Sequence, residues 1–218
     1  MIKVLTIERE YGSGAAAIAR TVAARLGWKL WDQLLTDEIC RRMECDRRHV
    51  EQYEERKDSL HYRLFKAFLR GSFEGSLNEP RMRVADAESI RRMTEALVRS
   101  AAADGNAVIV GRGSAYYLRD RPDAFHVFIY APFEEKVRRL ELEGKSRDEA
   151  IQLAECVDRD RAAFIKEHFG IEWPARHFFH LMINSTMGQE VAVQTIVDAL
   201  ATVQEGKTTA PNGGSDVR

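Results

Sequence analysis

Apolar residues gather in five short runs: Lys3-Val4-Leu5-Thr6-Ile7, Trp28-Lys29-Leu30-Trp31, Ala107-Val108-Ile109-Val110, His126-Val127-Phe128-Ile129-Tyr130 and His180-Leu181-Met182-Ile183. Each run is short and bounded by turn-forming or charged residues, so each predicts a strand. Between them apolar positions recur at helical spacing, predicting helices over 15–26, 34–43, 87–103, 133–143, 147–166 and 189–202. Strands separated by crossover helices specify an α/β fold, a three-layer sandwich around a parallel sheet of five strands covered on both faces. Such sheets bind ligands at the carboxyl ends of their strands, where Gly12-Ser13-Gly14, Asp32 and Gly111-Arg112-Gly113 all fall.

Two segments interrupt the alternation. Between Cys45 and Ala87 lies a charge-dense stretch with an amphipathic patch, Leu60 to Leu69, and a Gly/Ser/Asn/Pro loop from Gly71 to Pro80. Tyr62, Phe65 and Phe68 sit three apart, the spacing of a packed helix face, so the stretch reads as a helical insertion. Residues 143–174 combine an arginine-rich helix with a Gly170/Pro174 exit and read as a hinged lid. The domain is expected to span residues 1–203, and the Gly/Thr/Pro/Asn/Ser-rich residues 204–218 read as a disordered tail.

Composition narrows the function classes. With 218 residues, 44% of them apolar, the chain can bury one good core but not two. A net charge of −1 gives no overall field toward nucleic acid or an anionic membrane, so neither is an expected partner. No run approaches the ~18 apolar residues of a membrane span, and the chain opens directly on a strand, so a cytoplasmic location is expected. Cys40, Cys45 and Cys156 are odd in number and lie in helical contexts, which suits reduced thiols.

The chemistry concentrates behind the first strand. Glu8-Arg9-Glu10-Tyr11-Gly12-Ser13-Gly14 followed by Ala15, Ala16 and Ala17 outlines a strand, a glycine turn and a helix start, the build of a phosphate-binding loop. A complete Walker A pattern would place glycine, lysine and a hydroxyl where Arg9, Ala15 and Ala16 stand. Main-chain N–H groups from Gly12 to Ala17 can still face an anion at the positive end of a helix, because that cradle uses no side chains.

Other residues carry two readings each. Gly111-Arg112-Gly113 ends a strand on the same rim, where an arginine can fork onto a phosphate or serve as a solvated turn residue. In Asp158-Arg159-Asp160-Arg161 the arginines can close on a polyphosphate, or lace an exposed helix with ion pairs such as Glu155 with Arg159. Asp32 can hold a substrate hydroxyl, an amino group or a metal-bound water, or cap the helix that begins near Leu34. His177 and His180 have metal-like spacing but no accompanying ligand cluster, so no metal site is expected there.

Taken together these motifs resemble the cytidylate kinase-like family, a branch of the P-loop nucleoside-monophosphate kinases, over about residues 2 to 200. The resemblance rests on Arg9 to Gly14, Val108 to Gly113, Asp158 to Arg161 with His168-Phe169-Gly170, and Ile183-Asn184-Ser185-Thr186. It implies a monophosphate-binding insertion near residues 33–88 and an arginine-bearing lid. It also implies ATP on the loop Gly12 to Ala17, Mg²⁺ bridging its phosphates, the acceptor monophosphate on Arg112, and Arg159 and Arg161 steadying the transferred group. Authentic cytidylate kinases carry lysine where Ala15 stands and aspartate where Gly113 stands. Arg9 is then the nearest residue able to fold a positive charge onto the loop, since Arg20 lies farther along the helix. Two expectations follow: an ATP-dependent kinase of CMP or dCMP slowed by the missing lysine, or a nucleotide-binding pseudokinase that signals to a partner.

Overall fold

A computed structural model describes residues 1–32 and 87–209, with the side chains of 1–32 and 91–206. The expected helices at 34–43 and in the amphipathic patch 60–69 lie outside the described residues.

The elements alternate along the chain as the apolar pattern predicts. They are β1 (Val4–Arg9), α1 (Ala15–Leu26), β2 (Lys29–Trp31), α2 (Ala87–Ala103), β3 (Ala107–Val110), α3 (Ser114–Tyr117), β4 (Ala124–Tyr130), α4 (Phe133–Leu142), α5 (Arg147–Phe169), β5 (Leu181–Asn184) and α6 (Gln189–Thr209). All strand pairs are parallel and the sheet order is β2-β3-β1-β4-β5. The chain leaves β1 toward β2 on one side and leaves β4 toward β5 on the other, so a crevice opens at their carboxyl ends.

Alternation along the strands divides the core. Leu5, Ile7, Val108, Val110, Val127 and Ile129 face α1 and α6, where they meet Ile18, Val22, Val193 and Ile196. Val4, Ala107 and Ile109 face the opposite layer, against Leu97, Val98, Ala101 and Tyr117. This is the two-sided burial that makes parallel strands continuously apolar.

Three boundaries differ from the sequence reading. The short helix α3 was not expected; it turns directly out of Gly113 after β3. Helix α6 continues to Thr209, into the stretch from 204 read as a tail, while residues 210–218 lie outside the described residues. The helix expected over 147–166 runs on to Phe169 as α5, 23 residues long and capped by Ser146, whose side chain accepts a hydrogen bond from Glu149 N. It is docked along its length: Ala150, Ala154 and Val157 pack on Tyr11, Val137 and Leu140, and Phe164 and Ile165 pack on Tyr116. No helix among the described residues is long and apolar enough to cross a membrane.

His180, one of the two histidines at metal-like spacing, is instead stacked on Phe125 and His126, and its Nδ1 accepts the His126 main-chain N–H. His126 is buried and shares a 2.7 Å hydrogen bond with Thr6 Oγ1. Burial, reinforced by His180, pushes its pKa down to about 4. The unfolded chain therefore binds a proton at this residue near pH 6.5 that the folded chain refuses until about pH 4, so stability is present above that window and lost as pH falls through it. Denaturant titrations at pH 7 and pH 4 are expected to show a stability loss in the parent that exceeds the loss in His126→Gln by roughly 3 kcal/mol.

Candidate functional site

The turn behind β1 has the shape of a phosphate loop because two glycines take left-handed backbone, Gly12 at φ 72° and Gly14 at φ 74°. At Gly12 a side chain is also excluded by space, since a Cβ would lie 3.1 Å from the Lys136 carbonyl oxygen and 3.2 Å from Lys136 Cβ. Helix α1 starts at Ala15 with no side-chain cap, and its first intrahelical bond runs from Ile18 N to Gly14 O. The amides of Ala15, Ala16 and Ala17 belong to the first turn, whose N–H groups have no acceptor within the helix. Ala15 is fully buried in the core, Ala16 and Ala17 are half-exposed, and Ser13 is fully buried.

Beside this loop, the end of β3 makes three successive left-handed residues, Gly111 (φ 65°), Arg112 (φ 62°) and Gly113 (φ 66°). A non-glycine residue in that region is uncommon and concentrates at functional sites. The two features are neighbours by strand pairing: Ile7 aligns with Val110, and Gly111 N donates to Ile7 O at 2.9 Å. Arg112 is almost fully buried at the turn.

Arg9 is placed differently from the sequence expectation. Its guanidinium is buried, lies 3.6 Å from Asp32 Oδ1, and occupies the space that a Cβ on Gly111 would need, 2.4 Å from Nη1. The reason is geometric: Arg9 pairs with Ile129 of β4 at the end of β1, while β3 has already ended opposite Ile7, so the Gly111 turn lies beside the Arg9 side chain. Its charge is thus set against Asp32 and the Arg112 turn, and the structure pairs Asp32 with Arg9. Arg20 is exposed on α1.

The two arginines of α5 are separated. Arg161 is buried, and its Nη1 donates to Arg9 O at 2.6 Å and to Asp158 Oδ1 at 3.1 Å. Arg159 is exposed and donates to Cys156 Sγ. Residues two apart on a helix point about 200° from each other, so the pair cannot converge on one ligand from this helix.

The spacing-based reading missed four side chains at the site. Asp158 Oδ1 also accepts Tyr11 N at 2.8 Å, and Oδ2 accepts Lys136 Nζ at 2.9 Å, so one carboxylate ties the loop to α4 and α5. Lys136 also lies 3.2 Å from Glu10; burial alone would lower its pKa, but Asp158 and Glu10 together hold it above the usual ammonium value. Arg139 Nη1 donates to Ser13 O at 2.5 Å and to Ser185 Oγ at 2.8 Å, bracing the loop against the end of β5. Glu8 is buried on β1 near Ser114 Oγ at 3.4 Å. Burial pushes its carboxyl up against the pull of Arg9 and Arg161, and burial followed by the Glu8 charge pushes the Tyr116 hydroxyl up. The available signal for Glu8 was its place beyond Thr6 on one face of an otherwise apolar strand.

This arrangement can bind two anions side by side, one on the loop amides and one at the Arg112 turn. The backbone cradle suits the phosphates of ATP. A magnesium ion fits the protein less well, because Ala16 stands at the hydroxyl position and no group of three metal-ligating side chains occurs among the described residues.

A model of the cytidylate kinase-like family matches residues 4–187. Among solved structures, the chain is similar to an uncharacterized protein from Eubacterium ventriosum ATCC 27560, with a TM-score of 0.64, 18% identity, and coverage of 92% of this chain and 99% of that one. It is also similar to TT1252 from Thermus thermophilus (TM-score 0.51, 16% identity, 92% and 97% covered) and to a shikimate kinase from Acinetobacter baumannii in complex with shikimate (TM-score 0.50, 15% identity, 93% and 94% covered). These likenesses show the fold. No curated protein matches the sequence.

Proposed function

The chain belongs to the cytidylate kinase-like family, and from that premise we propose that it transfers the γ-phosphoryl group of ATP to a nucleoside monophosphate, with CMP or dCMP as the acceptor. The observation that carries this reading is the adjacency of the Gly12–Gly14 loop and the left-handed Arg112 turn on paired strand ends. A monophosphate oxygen attacks the γ-phosphorus as the bond to the β–γ bridging oxygen breaks, leaving ADP and a nucleoside diphosphate. Such a transfer asks mainly for positioning and charge stabilisation. The loop amides would hold the donor phosphates and Arg112 the acceptor. Arg161, through Arg9 O and Asp158, would fix the wall between them. Mg²⁺ enters as part of the MgATP substrate, and no step here depends on a ligand from the protein.

A second reading is favoured by Ala15 and Ala16: a nucleotide-binding module with little or no turnover. Loss of a preorganised donor typically costs on the order of 10²–10³ in rate. A coupled ADP assay with a panel of monophosphates, run beside thermal shift, separates the two. The kinase reading expects CMP- or dCMP-dependent ADP release above a protein-free control. A melting shift with ATP or CMP but no product supports the binding module. Neither shift nor product would overturn both.

A further inference from the structure

Helix α5 touches both halves of the site at different points along its length. In its middle, Asp158 and Arg161 hold the main chain at Tyr11 and Arg9. At its last residue, the Phe169 ring covers the turn that carries Arg112: a Cβ on Gly113 would lie 3.2 Å from both Cε2 and Cζ of that ring. Phe169 lies roughly 12 Å along the helix axis from Arg161 and roughly 16 Å from Asp158.

The ring is held firmly in that place. It packs on Tyr117 edge-on at 4.9 Å and on Tyr116 at 5.3 Å, joining the core clusters under α2 and under α5. Gly113 has φ 66°, so the turn needs a residue tolerant of left-handed backbone and also one without a side chain, because Phe169 fills that volume.

We infer that Phe169 is a positioning residue for the acceptor site: it forms the wall that keeps the Gly111–Gly113 turn wound, and so presents Arg112, while making no contact with the acceptor itself. This rests on the proposed acceptor role of Arg112. Because one rigid helix carries both Phe169 and Asp158, the position of α5 is communicated to both anion sites. Gly113 and Phe169 form a matched pair, with the ring taking the room a side chain at 113 would use.

The test is a double-mutant cycle with CMP and ATP as probes in calorimetric titrations of the full chain. Phe169→Ala is expected to weaken CMP binding about tenfold with ATP binding held within about twofold, and Phe169→Tyr to restore it. Gly113→Ala is expected to weaken CMP about tenfold by displacing the ring, and the double variant to fall well short of the hundredfold product of the two, since the steric conflict disappears with the ring and only the left-handed backbone cost of alanine remains. Additive losses near a hundredfold, an unchanged CMP affinity in Phe169→Ala, or equal losses for CMP and ATP would each overturn this role for Phe169. If the parent binds ATP but no monophosphate, it is the acceptor reading of Arg112 that fails, and this role falls with it.

Discussion

An Asp158→Asn variant is expected to lose about 3–5 kcal/mol of stability and to bind ATP at least tenfold more weakly than the parent. The carboxylate receives three donors from three parts of the chain: Tyr11 N at 2.8 Å, Arg161 Nη1 at 3.1 Å and Lys136 Nζ at 2.9 Å. Its side chain is 12% exposed, that of Lys136 9% and that of Arg161 5%, so neither water nor salt can replace the lost charge cheaply. Asparagine keeps the shape but removes the anion, and its amide turns a donor toward one of those donors. Lys136 keeps Glu10, which sets the lower end of the range. For a chain of this length such a loss lowers Tm by about 6–20 °C. ATP affinity falls because Tyr11 N–H is the residue before Gly12, and releasing it frees the loop that the helix start depends on. Asp160→Asn, two residues along the same helix, is the control and is expected to stay within about 0.5 kcal/mol of the parent. Equal losses for the two variants would show that the three-donor junction contributes nothing specific.

The frame of this molecule is readable in its sequence because strands buried on both faces must be apolar throughout. Val4–Ile7, Ala107–Val110 and Val127–Ile129 are such runs, and the helices between them carry one apolar stripe each. The phosphate loop is readable too, since Gly12 and Gly14 are demanded by local backbone geometry. The links between elements are less so. In Phe133–Leu142 the run Glu-Glu-Lys-Val-Arg-Arg mixes acids and bases, and Arg138 pairs with Glu135 on the exposed face. Lys136 and Arg139 on the same helix instead meet the loop, because the α4 backbone lies against Gly12. Nothing local marks which cation of the run turns inward; only the crossover of α4 beside β1 decides it. For Asp158 to Arg161 the decisive fact was available in the spacing: residues two apart on a helix diverge, so Arg161 and Arg159 had to part. The direction of Arg9 was not available, because it depends on which strand neighbours β1, and sheet order is a tertiary property.

The placement of Arg9 leads to the second large effect. Were Arg9 a stand-in for the missing lysine at the loop, Arg9→Ala would abolish activity and leave the melting temperature unchanged. Set against Asp32 and Gly111, it is expected to do something else: lower stability by about 2–3 kcal/mol and remove CMP binding while ATP still binds. The stability loss follows from burial. Arg9 is 2% exposed, and its removal leaves the Asp32 carboxylate, 18% exposed, without its cation and the buried Glu8 without its strongest compensating charge. Gly111→Ala probes the same contact from the other side. Its methyl group would sit 2.4 Å from Arg9 Nη1, so the guanidinium must leave while its charge stays in the protein. Left-handed backbone at alanine costs roughly 1–2 kcal/mol. Gly111→Ala should therefore match Arg9→Ala in CMP binding, with the smaller stability loss. A variant pair that loses ATP and keeps CMP would place Arg9 at the donor phosphates instead, against the geometry that sets its guanidinium beside Gly111 and Asp32.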